Sequence, residues 1–302
     1  MGRWPRRSLA LAAVVAWAIG GAVPLEAAAA PAGLSEILAA SPAADWRGLD
    51  PEDTLYLTLP QGRVVIEVAP TFAPSHVANI KRLVRSGFYD GLAVVRVQDN
   101  YVVQWGDAQS IHPTGEGRVR LKAEFDRPYG AADPFIALPD SDTYAPRTGF
   151  AGDFPAARDP ASGLTWLTHC YGMVGAGRDN DADSGGGPEL YAVIGQAPRQ
   201  LDRNVTLVGR VIDGMELLAA LPRGHGDFGF YQRPEERVPI LGVKVAADLP
   251  AAQRTAFRVL KTDSPTFAAV VYNRRFRRDA WYKLAAGHID VCNLPLPVRA
   301  GP

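Results

Sequence analysis

Residues 87–107 read GFYDGLAVVRVQDNYVVQWGD and carry more information about the architecture than any other stretch of the chain. Two runs within them, Ala93–Val97 and Tyr101–Gln104, are rich in β-branched and aromatic residues, which favours short extended strands. The glycines and the aspartate of GFYDG are typical of a turn. The stretch therefore predicts a turn followed by two strands, with Arg96 on the first strand and Gln104 on the second.

A hairpin and a helix are predicted upstream of this stretch. Thr54–Leu59 and Arg63–Val68 are β-rich and flank Pro60-Gln61-Gly62, which is a hairpin pattern. Pro74 then opens a helix that ends near Gly87. Apolar residues recur on one face of this helix at Val77, Ile80, Leu83 and Val84.

Downstream, strand-like segments alternate with a long irregular region. Between residues 127 and 163, Pro, Gly and Asp recur without any periodicity, which predicts a surface loop. A short helix is expected at Asp213–Leu221. The strand-like segments are Cys170–Val174, Leu190–Ile194, Thr206–Val211 and Pro239–Val245.

The C-terminal part, residues 247–302, has a different pattern from the rest. Ala251–Leu260 and Pro265–Arg275 are helical in pattern, and Ser264 is a good N-cap in front of Pro265. Val291–Val298 reads as extended and contains two prolines.

The GFYDG turn, the VVRV strand and the YVVQWGD strand resemble, in this order, the signature of the cyclophilin family. In that family a G-x-Y-D-G turn leads into an F-H-R-V strand and then into an aromatic-x-x-Q-G-G-D strand. Further segments match the family in order along the chain: Ala73–Asn79, Ala123-Glu124-Phe125, Gly172–Arg178, Leu201-Asp202 and Val208–Met215.

The resemblance implies a mainly β fold, namely a closed eight-stranded antiparallel cyclophilin-like β-barrel capped by two helices. It covers residues 54–246, which we expect to form a cyclophilin-like domain. The loop at about 127–163 is then an insertion within the domain, residues 31–53 are a linker, and residues 247–302 are a C-terminal extension.

The resemblance also implies peptidyl-prolyl cis-trans isomerase activity. The reaction is rotation about an X–Pro amide, against a barrier of about 18–20 kcal/mol that amide resonance creates. Because no bond breaks, no nucleophile, metal or cofactor is needed. By resemblance, Arg96 is the catalytic guanidinium, which can weaken the resonance, and Gln104 holds Arg96 and the peptide backbone. The same resemblance assigns substrate binding to Tyr101, Val102, Ala176, Gly177, Glu189, Tyr191 and Leu201.

Several positions differ from the family pattern, so two functions stay open. The first is an isomerase that assists the folding of exported proteins. The second is a cyclophilin-fold protein that binds proline-containing segments with little catalysis. The substituted positions are Val94, Val95, Tyr101, Val102, Trp105, Ala176, Glu189, Tyr191, Gln200 and Val205.

The N-terminus indicates export. Arg3, Arg6 and Arg7 precede an apolar run from Leu9 to Val23, and an Ala-rich segment follows up to Ala30. This order is typical of a cleavable signal peptide at residues 1–30, and the apolar core is shorter than the roughly 20 residues that a transmembrane anchor needs. We therefore expect a periplasmic or secreted protein without stable membrane insertion after cleavage. The 32 basic and 32 acidic residues balance, which argues against nucleic acid as a partner.

Cys170 and Cys292 are the two cysteines of the chain. Either they form a disulfide that ties the C-terminal extension to the main domain, or they are two buried thiols. Neither has the C-x-x-C spacing of a redox motif or a zinc site.

Three other clusters suggest weaker hypotheses. Asp179, Asp181 and Asp183 alternate as in a calcium loop, but flanking helices and a closing Glu are missing, so a polar loop is the preferred interpretation. The tail also contains a cluster of basic residues, for which a solvated helical face is the preferred interpretation. The cluster comprises Arg274, Arg275, Arg277 and Arg278. No nucleophile elbow supports a hydrolase triad of Ser184, His169 and Asp202.

Overall fold

The computed structural model describes residues 32–107, 109, 111–277 and 281–301. The predicted signal peptide lies outside these residues. Within them there are four α-helices, none of which is long and apolar enough to cross a membrane. The helices are α1 (Leu34–Ala39), α2 (Pro74–Arg85), α3 (Met215–Ala219) and α4 (Pro265–Arg275).

The same residues contain seventeen strands. In chain order they are β1 (Trp46–Gly48), β2 (Thr54–Leu59), β3 (Gly62–Val68), β4 (Ala93–Val97), β5 (Val102–Gly106), β6 (Arg127–Pro128), β7 (Ile136–Ala137), β8 (Arg147–Ala151), β9 (Phe154–Asp159), β10 (Leu164–Leu167), β11 (Met173–Ala176), β12 (Glu189–Val193), β13 (Leu207–Asp213), β14 (Val238–Pro239), β15 (Gly242–Val245), β16 (Phe257–Leu260) and β17 (Val298–Ala300).

A nine-stranded sheet in the order β14-β4-β5-β12-β11-β13-β3-β2-β15 forms the main layer, and all its ladders are antiparallel. The mainly β prediction is thereby confirmed. The β2–β3 hairpin is also confirmed, with Leu59 opposite Gly62 across a two-residue turn.

The closed eight-stranded barrel is not confirmed. The sheet has nine strands, and no ladder joins its end strands β14 and β15 within the described residues. Both end strands belong to one segment, residues 238–245, which changes partner in its middle. There the Ile240 N–H donates to the Leu92 carbonyl (2.8 Å), and the N–H of Leu241 donates to the Thr58 carbonyl (2.9 Å). The single strand predicted at Pro239–Val245 is therefore divided between the two ends of the sheet.

Helix α2 confirms the predicted helix and fills the concave side of this sheet. Pro74 occupies its first turn, where a missing N–H is tolerated. The buried positions recur every three or four residues, as the 3.6-residue period requires. They are His76, Val77, Asn79, Ile80, Leu83 and Val84, of which the aliphatic ones belong to the core of the main layer.

The prediction of a loop at 127–163 is wrong. This region and residues 164–167 form a five-stranded antiparallel sheet in the order β6-β10-β9-β8-β7. Its strands are short, and its glycines serve close packing as well as turns. At Gly149, a Cβ would overlap the backbone carbonyl of Ile136 on the paired strand. The Pro and Gly content that predicted a loop is therefore compatible with a tightly packed small sheet.

The linker and the C-terminal extension are also more ordered than predicted. Strand β1, within the predicted linker, pairs with β16, which in turn pairs with β17. The helix expected at Ala251–Leu260 is wrong, because Phe257–Leu260 pairs on both sides and only Ala251–Gln253 forms a 3-10 turn. Helix α4 is confirmed, and the Ser264 hydroxyl accepts the N–H of Phe267 as its N-cap.

These three segments share a second hydrophobic core. It includes Trp46 from the linker, Phe150 from the insertion and Phe267 from the extension. The rings of Phe150 and Phe267 meet edge to face at 5.0 Å between centroids. A disulfide joins Cys170 to Cys292 at the border of this core, which selects the first of the two interpretations of the cysteines.

The sheet formed by the insertion leads to a prediction about the stability of variants at two glycines. We expect Gly149→Ala to lower the free energy of unfolding by about 1–3 kcal/mol or more, because the new methyl group overlaps the paired strand. Gly130→Ala is the matched control, since a Cβ at Gly130 meets nothing within 4 Å. Urea unfolding of both variants measures the difference. Equal midpoints for the two variants would show that residues 127–163 behave as a loop.

The disulfide leads to a second prediction about the free energy of unfolding. The bond closes a loop with a sequence separation of 122 residues. In the chain-entropy description, such a crosslink contributes about 4–5 kcal/mol to the free energy of unfolding. We expect Cys170→Ala/Cys292→Ala to lose up to this amount in urea unfolding. An unchanged midpoint, or one insensitive to reductant in the wild type, would contradict this expectation.

Candidate active site

An irregularity in β4 sets the direction of Arg96. Strands β4 and β5 are antiparallel, with Val94 opposite Trp105 and Arg96 opposite Gln104. Val95 is therefore one extra residue, a β-bulge, and bulges re-aim the side chains beside them. The two residues predicted to be catalytic thus face each other across a strand pair.

The Arg96 guanidinium is held by three hydrogen bonds. Nε donates to the Phe228 carbonyl (2.7 Å), Nη1 donates to Gln104 Oε1 (2.9 Å), and Nη2 donates to Gln98 Oε1. An arginine carries five N–H groups. Within the described residues these bonds use three of them, so two N–H groups remain for a ligand.

The environment of Arg96 is partly dry and aromatic. Burial lowers the pKa of Arg96, while Tyr101 and Glu189 nearby act in the opposite direction. The guanidinium carbon lies 5.5 Å from the ring centroid of Tyr101 and 5.4 Å from that of Phe230. Arginine remains protonated in such surroundings. The site therefore contains a fixed positive charge that is partly withdrawn from solvent.

A groove of about 840 Å³ lies next to this charge. Its floor is apolar and consists of one hydrophobic cluster that includes Val102 and Tyr191, with Tyr101 and Val205 packed against it. Its rim is polar and is formed by residues 178–181. Seven of the nine predicted site residues line the groove: Arg96, Tyr101, Val102, Gln104, Gly177, Tyr191 and Leu201.

The other two predicted residues do not line the groove. Ala176 is 2% exposed and belongs to the core of the main layer, because side chains alternate along β11 and only its neighbours Gly175 and Gly177 face the other way. Glu189 borders a small adjoining hollow together with Asp107 and Gly177. Their assignment to substrate binding stays a prediction.

Phe228 is a groove residue that the sequence did not reveal. Its side chain is 73% exposed and lines the groove, and its carbonyl holds Arg96. Its backbone has φ 55°, a left-handed conformation that is uncommon for a bulky residue and is concentrated at functional sites. The glycines at 226 and 229 around it are the signal that could have indicated an unusual turn.

Comparison with known proteins identifies the family of this chain. Residues 54–245 match the family model for cyclophilin type peptidyl-prolyl cis-trans isomerase/CLD. The chain belongs to the cyclophilin family. It is therefore a member of an enzyme family that isomerises peptide bonds before proline, as the resemblance implied.

The relatives of this cyclophilin are bacterial as well as eukaryotic. A probable peptidyl-prolyl cis-trans isomerase of Brucella abortus is 28% identical over 201 residues, which cover 66% of this chain and 85% of that protein. A putative thylakoid lumen peptidyl-prolyl cis-trans isomerase of Synechocystis is 27% identical over 188 residues, covering 57% of this chain and 44% of that protein.

The crystal structure of cyclophilin AquaCyp293 from Hirschia baltica resembles more of this chain. It superimposes with a TM-score of 0.70 at 27% identity, covering 84% of this chain and 92% of that one. The covered share of this chain, 84%, is larger than the share that residues 54–245 represent. The superposition therefore also includes residues outside 54–245.

The weaker hypotheses from the sequence find no support in the site of this cyclophilin. Ser184 is bonded within its own turn, to the Asp181 carbonyl and the Asp179 N–H, so the hydrolase triad is wrong. The carboxylate of Asp183 accepts the N–H of Ala123. Asp181 is paired with Arg120. In the tail, Arg275 makes two hydrogen bonds to Asp140.

The burial of Glu189 leads to a prediction about how the free energy of unfolding depends on pH. Burial raises the pKa of Glu189, although Gln104 and Arg96 act the other way, and its Oε1 is buried without a partner among the described residues. A carboxyl whose pKa is raised by folding stabilises the protein below its unfolded value, and this stabilisation is lost as the pH rises through the folded value. We expect Glu189→Gln to exceed the wild type in free energy of unfolding at pH 7.

The measurement is urea unfolding of both proteins between pH 4 and 7.5. The advantage of Glu189→Gln should shrink as the pH falls toward 4.5, the ordinary pKa of a glutamic acid. Glu124→Gln is the control with the opposite sign. Although burial raises the pKa of Glu124, hydrogen bonds from Ser75 and His76 lower it overall. A constant difference between wild type and Glu189→Gln across the range would contradict the prediction.

Proposed function

We propose that this cyclophilin catalyses X–Pro isomerisation in the groove beside Arg96 and thereby assists the folding of exported proteins. The observation that carries the proposal is the Arg96 guanidinium, fixed by Gln104, Gln98 and the Phe228 carbonyl next to an apolar floor. A fixed charge thus lies beside an apolar surface, which is the combination that rotation about an imide bond requires.

The barrier to this rotation comes from the resonance between the proline nitrogen and the preceding carbonyl. In the proposed mechanism, the proline ring rests on Val102 and Tyr191 of the floor and against Leu201. An N–H group of Arg96 then donates toward the imide and stabilises the pyramidal nitrogen of the twisted state. Because this interaction is stronger in the twisted state than in either planar form, it lowers the barrier.

Gln104 has a supporting part in this mechanism. Its Oε1 accepts from Arg96, so its side-chain NH₂ group supplies the donors: one N–H interacts with Glu189, and the second can donate to a peptide carbonyl. The bond also restricts the guanidinium before substrate arrives. A preorganised donor needs little rearrangement during the reaction, which is the main source of its catalytic effect.

Three observations support a periplasmic or secreted location and exported substrates. The N-terminus has the order of a signal peptide. The Cys170–Cys292 disulfide is of a kind that persists in oxidising compartments. One relative is named as a thylakoid lumen protein. The proposed partners are therefore proline-containing segments of unfolded proteins outside the cytoplasm.

The substituted floor favours a second candidate function, which is peptide binding with weak catalysis. The floor has two tyrosines where the family pattern has phenylalanines, and two valines where it has the larger methionine and histidine side chains. A wider and more polar floor holds a proline ring less firmly. In this case proline-containing peptides would bind without a substantial increase in the rate of isomerisation.

The test is the isomerisation rate of a short Ala-Pro peptide with wild type and Arg96→Ala. We expect kcat/KM to fall about 30- to 1,000-fold in the variant, corresponding to about 2–4 kcal/mol of lost transition-state stabilisation. Arg96→Lys should recover little of this, because an ammonium group has only three N–H groups, and bonds to Phe228, Gln98 and Gln104 would leave none for the imide.

Arg85→Ala is the matched control, since Arg85 is a surface residue of α2 that pairs with Glu52 and Asp248. It should keep the wild-type kcat/KM. A folded wild type that binds the peptide in a fluorescence titration without accelerating its isomerisation would establish the second candidate. An Arg96→Ala variant with full activity would show that catalysis lies elsewhere.

A further inference from the structure

A buried histidine stands directly behind the floor of the groove. His169 is 0% exposed and lies between two polar groups. Its Nδ1 is 3.0 Å from Asp202 Oδ1, and its Nε2 is 2.9 Å from the Tyr191 hydroxyl. Since a carboxylate only accepts, Nδ1 carries the hydrogen, and in the neutral ring Nε2 accepts the hydroxyl hydrogen of Tyr191.

This contact explains how a tyrosine can occupy the floor. A buried hydroxyl requires a hydrogen-bond partner, and His169 supplies it from the side away from the groove. Gly175 leaves room for the ring, because a Cβ there would overlap the Tyr191 ring and hydroxyl. The ring of Tyr191 is therefore fixed from two sides.

Asp202 extends the network to a second groove residue. Its Oδ1 also accepts the backbone N–H of His169 (2.8 Å), and its Oδ2 accepts Nε of Arg199 (2.6 Å). Arg199, Gln200 and Leu201 form one 3-10 turn in front of Asp202. The bonds to Asp202 thus hold the turn that carries Leu201 into the groove.

The network ends in the insertion, at Asp142 in the segment between β7 and β8. Arg199 is 4% exposed and donates through Nη1 and Nη2 to Asp142, at 3.0 and 3.1 Å. The other contacts of the Asp142 carboxylate are to the backbone N–H groups of Tyr144 and Ala145. Removing one member of such a buried ion pair leaves an uncompensated charge, so the pair resists separation.

We propose that His169 and Asp202 are positioning residues for the prolyl groove and that Asp142 makes the insertion part of its support. The proposal rests on the proposed function of the groove. A chain of contacts runs from Tyr191 through His169, Asp202 and Arg199 to Asp142. It fixes two groove residues, Tyr191 and Leu201, and connects them to residues 127–163. The insertion then acts on catalysis without touching the substrate.

The first experiment is a double-mutant cycle on the full-length protein, with kcat/KM for the Ala-Pro peptide as the readout. We expect His169→Leu to lower kcat/KM at least tenfold. His169→Gln should recover activity to within threefold of the wild type, because an amide also offers one donor and one acceptor. In the Tyr191→Phe background, His169→Leu should change kcat/KM less than threefold.

His76→Leu is the matched control for burial. His76 is 1% exposed, and its Nδ1 lies 2.6 Å from Glu124, away from the groove. His76→Leu should lower the melting temperature about as much as His169→Leu does, and it should leave kcat/KM within twofold of the wild-type value. Equal losses from His169→Leu in the Tyr191 wild type and in the Tyr191→Phe background would mean a purely structural role and overturn the proposal.

The second experiment tests the insertion and does not depend on the His169 variants folding. Asp142→Asn should lower kcat/KM about three- to tenfold. Asp140→Asn is its control, because Asp140 is also buried in the insertion and makes two bonds to an arginine, Arg275, at 2.8 Å each. Asp140→Asn should reduce stability but not kcat/KM. Equal activities for the two variants would overturn the role of the insertion.

Arg96→Ala, measured in parallel, separates the two proposals. If it keeps full activity, the proposed function fails. If it loses activity while the His169 and Asp142 variants behave like their controls, only the positioning network fails.

Discussion

A guanidinium that is partly withdrawn from water needs hydrogen-bond acceptors, and much of the groove serves to place three of them around Arg96. The bond to Gln104 requires the register of β4 and β5, with its bulge at Val95. The bond from Nε requires the Phe228 carbonyl, which a left-handed backbone presents. Glycines 224 and 229 permit that loop, because a Cβ at either position would overlap neighbouring backbone. Strand register, bulge and loop therefore all serve to position one charge.

The second hydrophobic core depends on a different condition. The linker, the insertion and the C-terminal extension share this core, and none of these three segments can bury an apolar face alone. The linker contributes a three-residue strand, β1, and the insertion contributes strands of two to six residues. Such short strands become stable only against a common core. Trp46, Phe150 and Phe267 provide it from three distant parts of the chain. The disulfide then attaches this core to residue 170, next to His169 of the positioning network.

The fold was predictable wherever a local pattern in the sequence determines the structure. The hairpin at 54–68, helix α2 and the Ser264 cap each have a local cause in the sequence, and each is confirmed. The small sheet at 127–167 was not predictable, because Gly149 is needed for close packing and yet reads as a loop residue. Ala251–Leu260 looked helical, but pairing with β1 and β17 determines its structure. Of the site, the motif predicted Arg96 and Gln104, whereas Phe228 and His169 enter through loops that no motif describes.

The substitutions in the groove are easier to understand as a set than one at a time. Taken alone, Tyr191 adds a hydroxyl to an apolar floor, and such a group weakens a pocket when it lacks a partner. The hydroxyl is bonded to His169, and a glycine at 175 accommodates the ring. His169 needs Asp202, and Asp202 shares Arg199 with Asp142 of the insertion. A change that departs from the family pattern in the sequence is thus matched by contacts from outside the family motif. The insertion therefore belongs to the same physical unit as the groove, since its Asp142 is the last charged residue in this sequence of contacts.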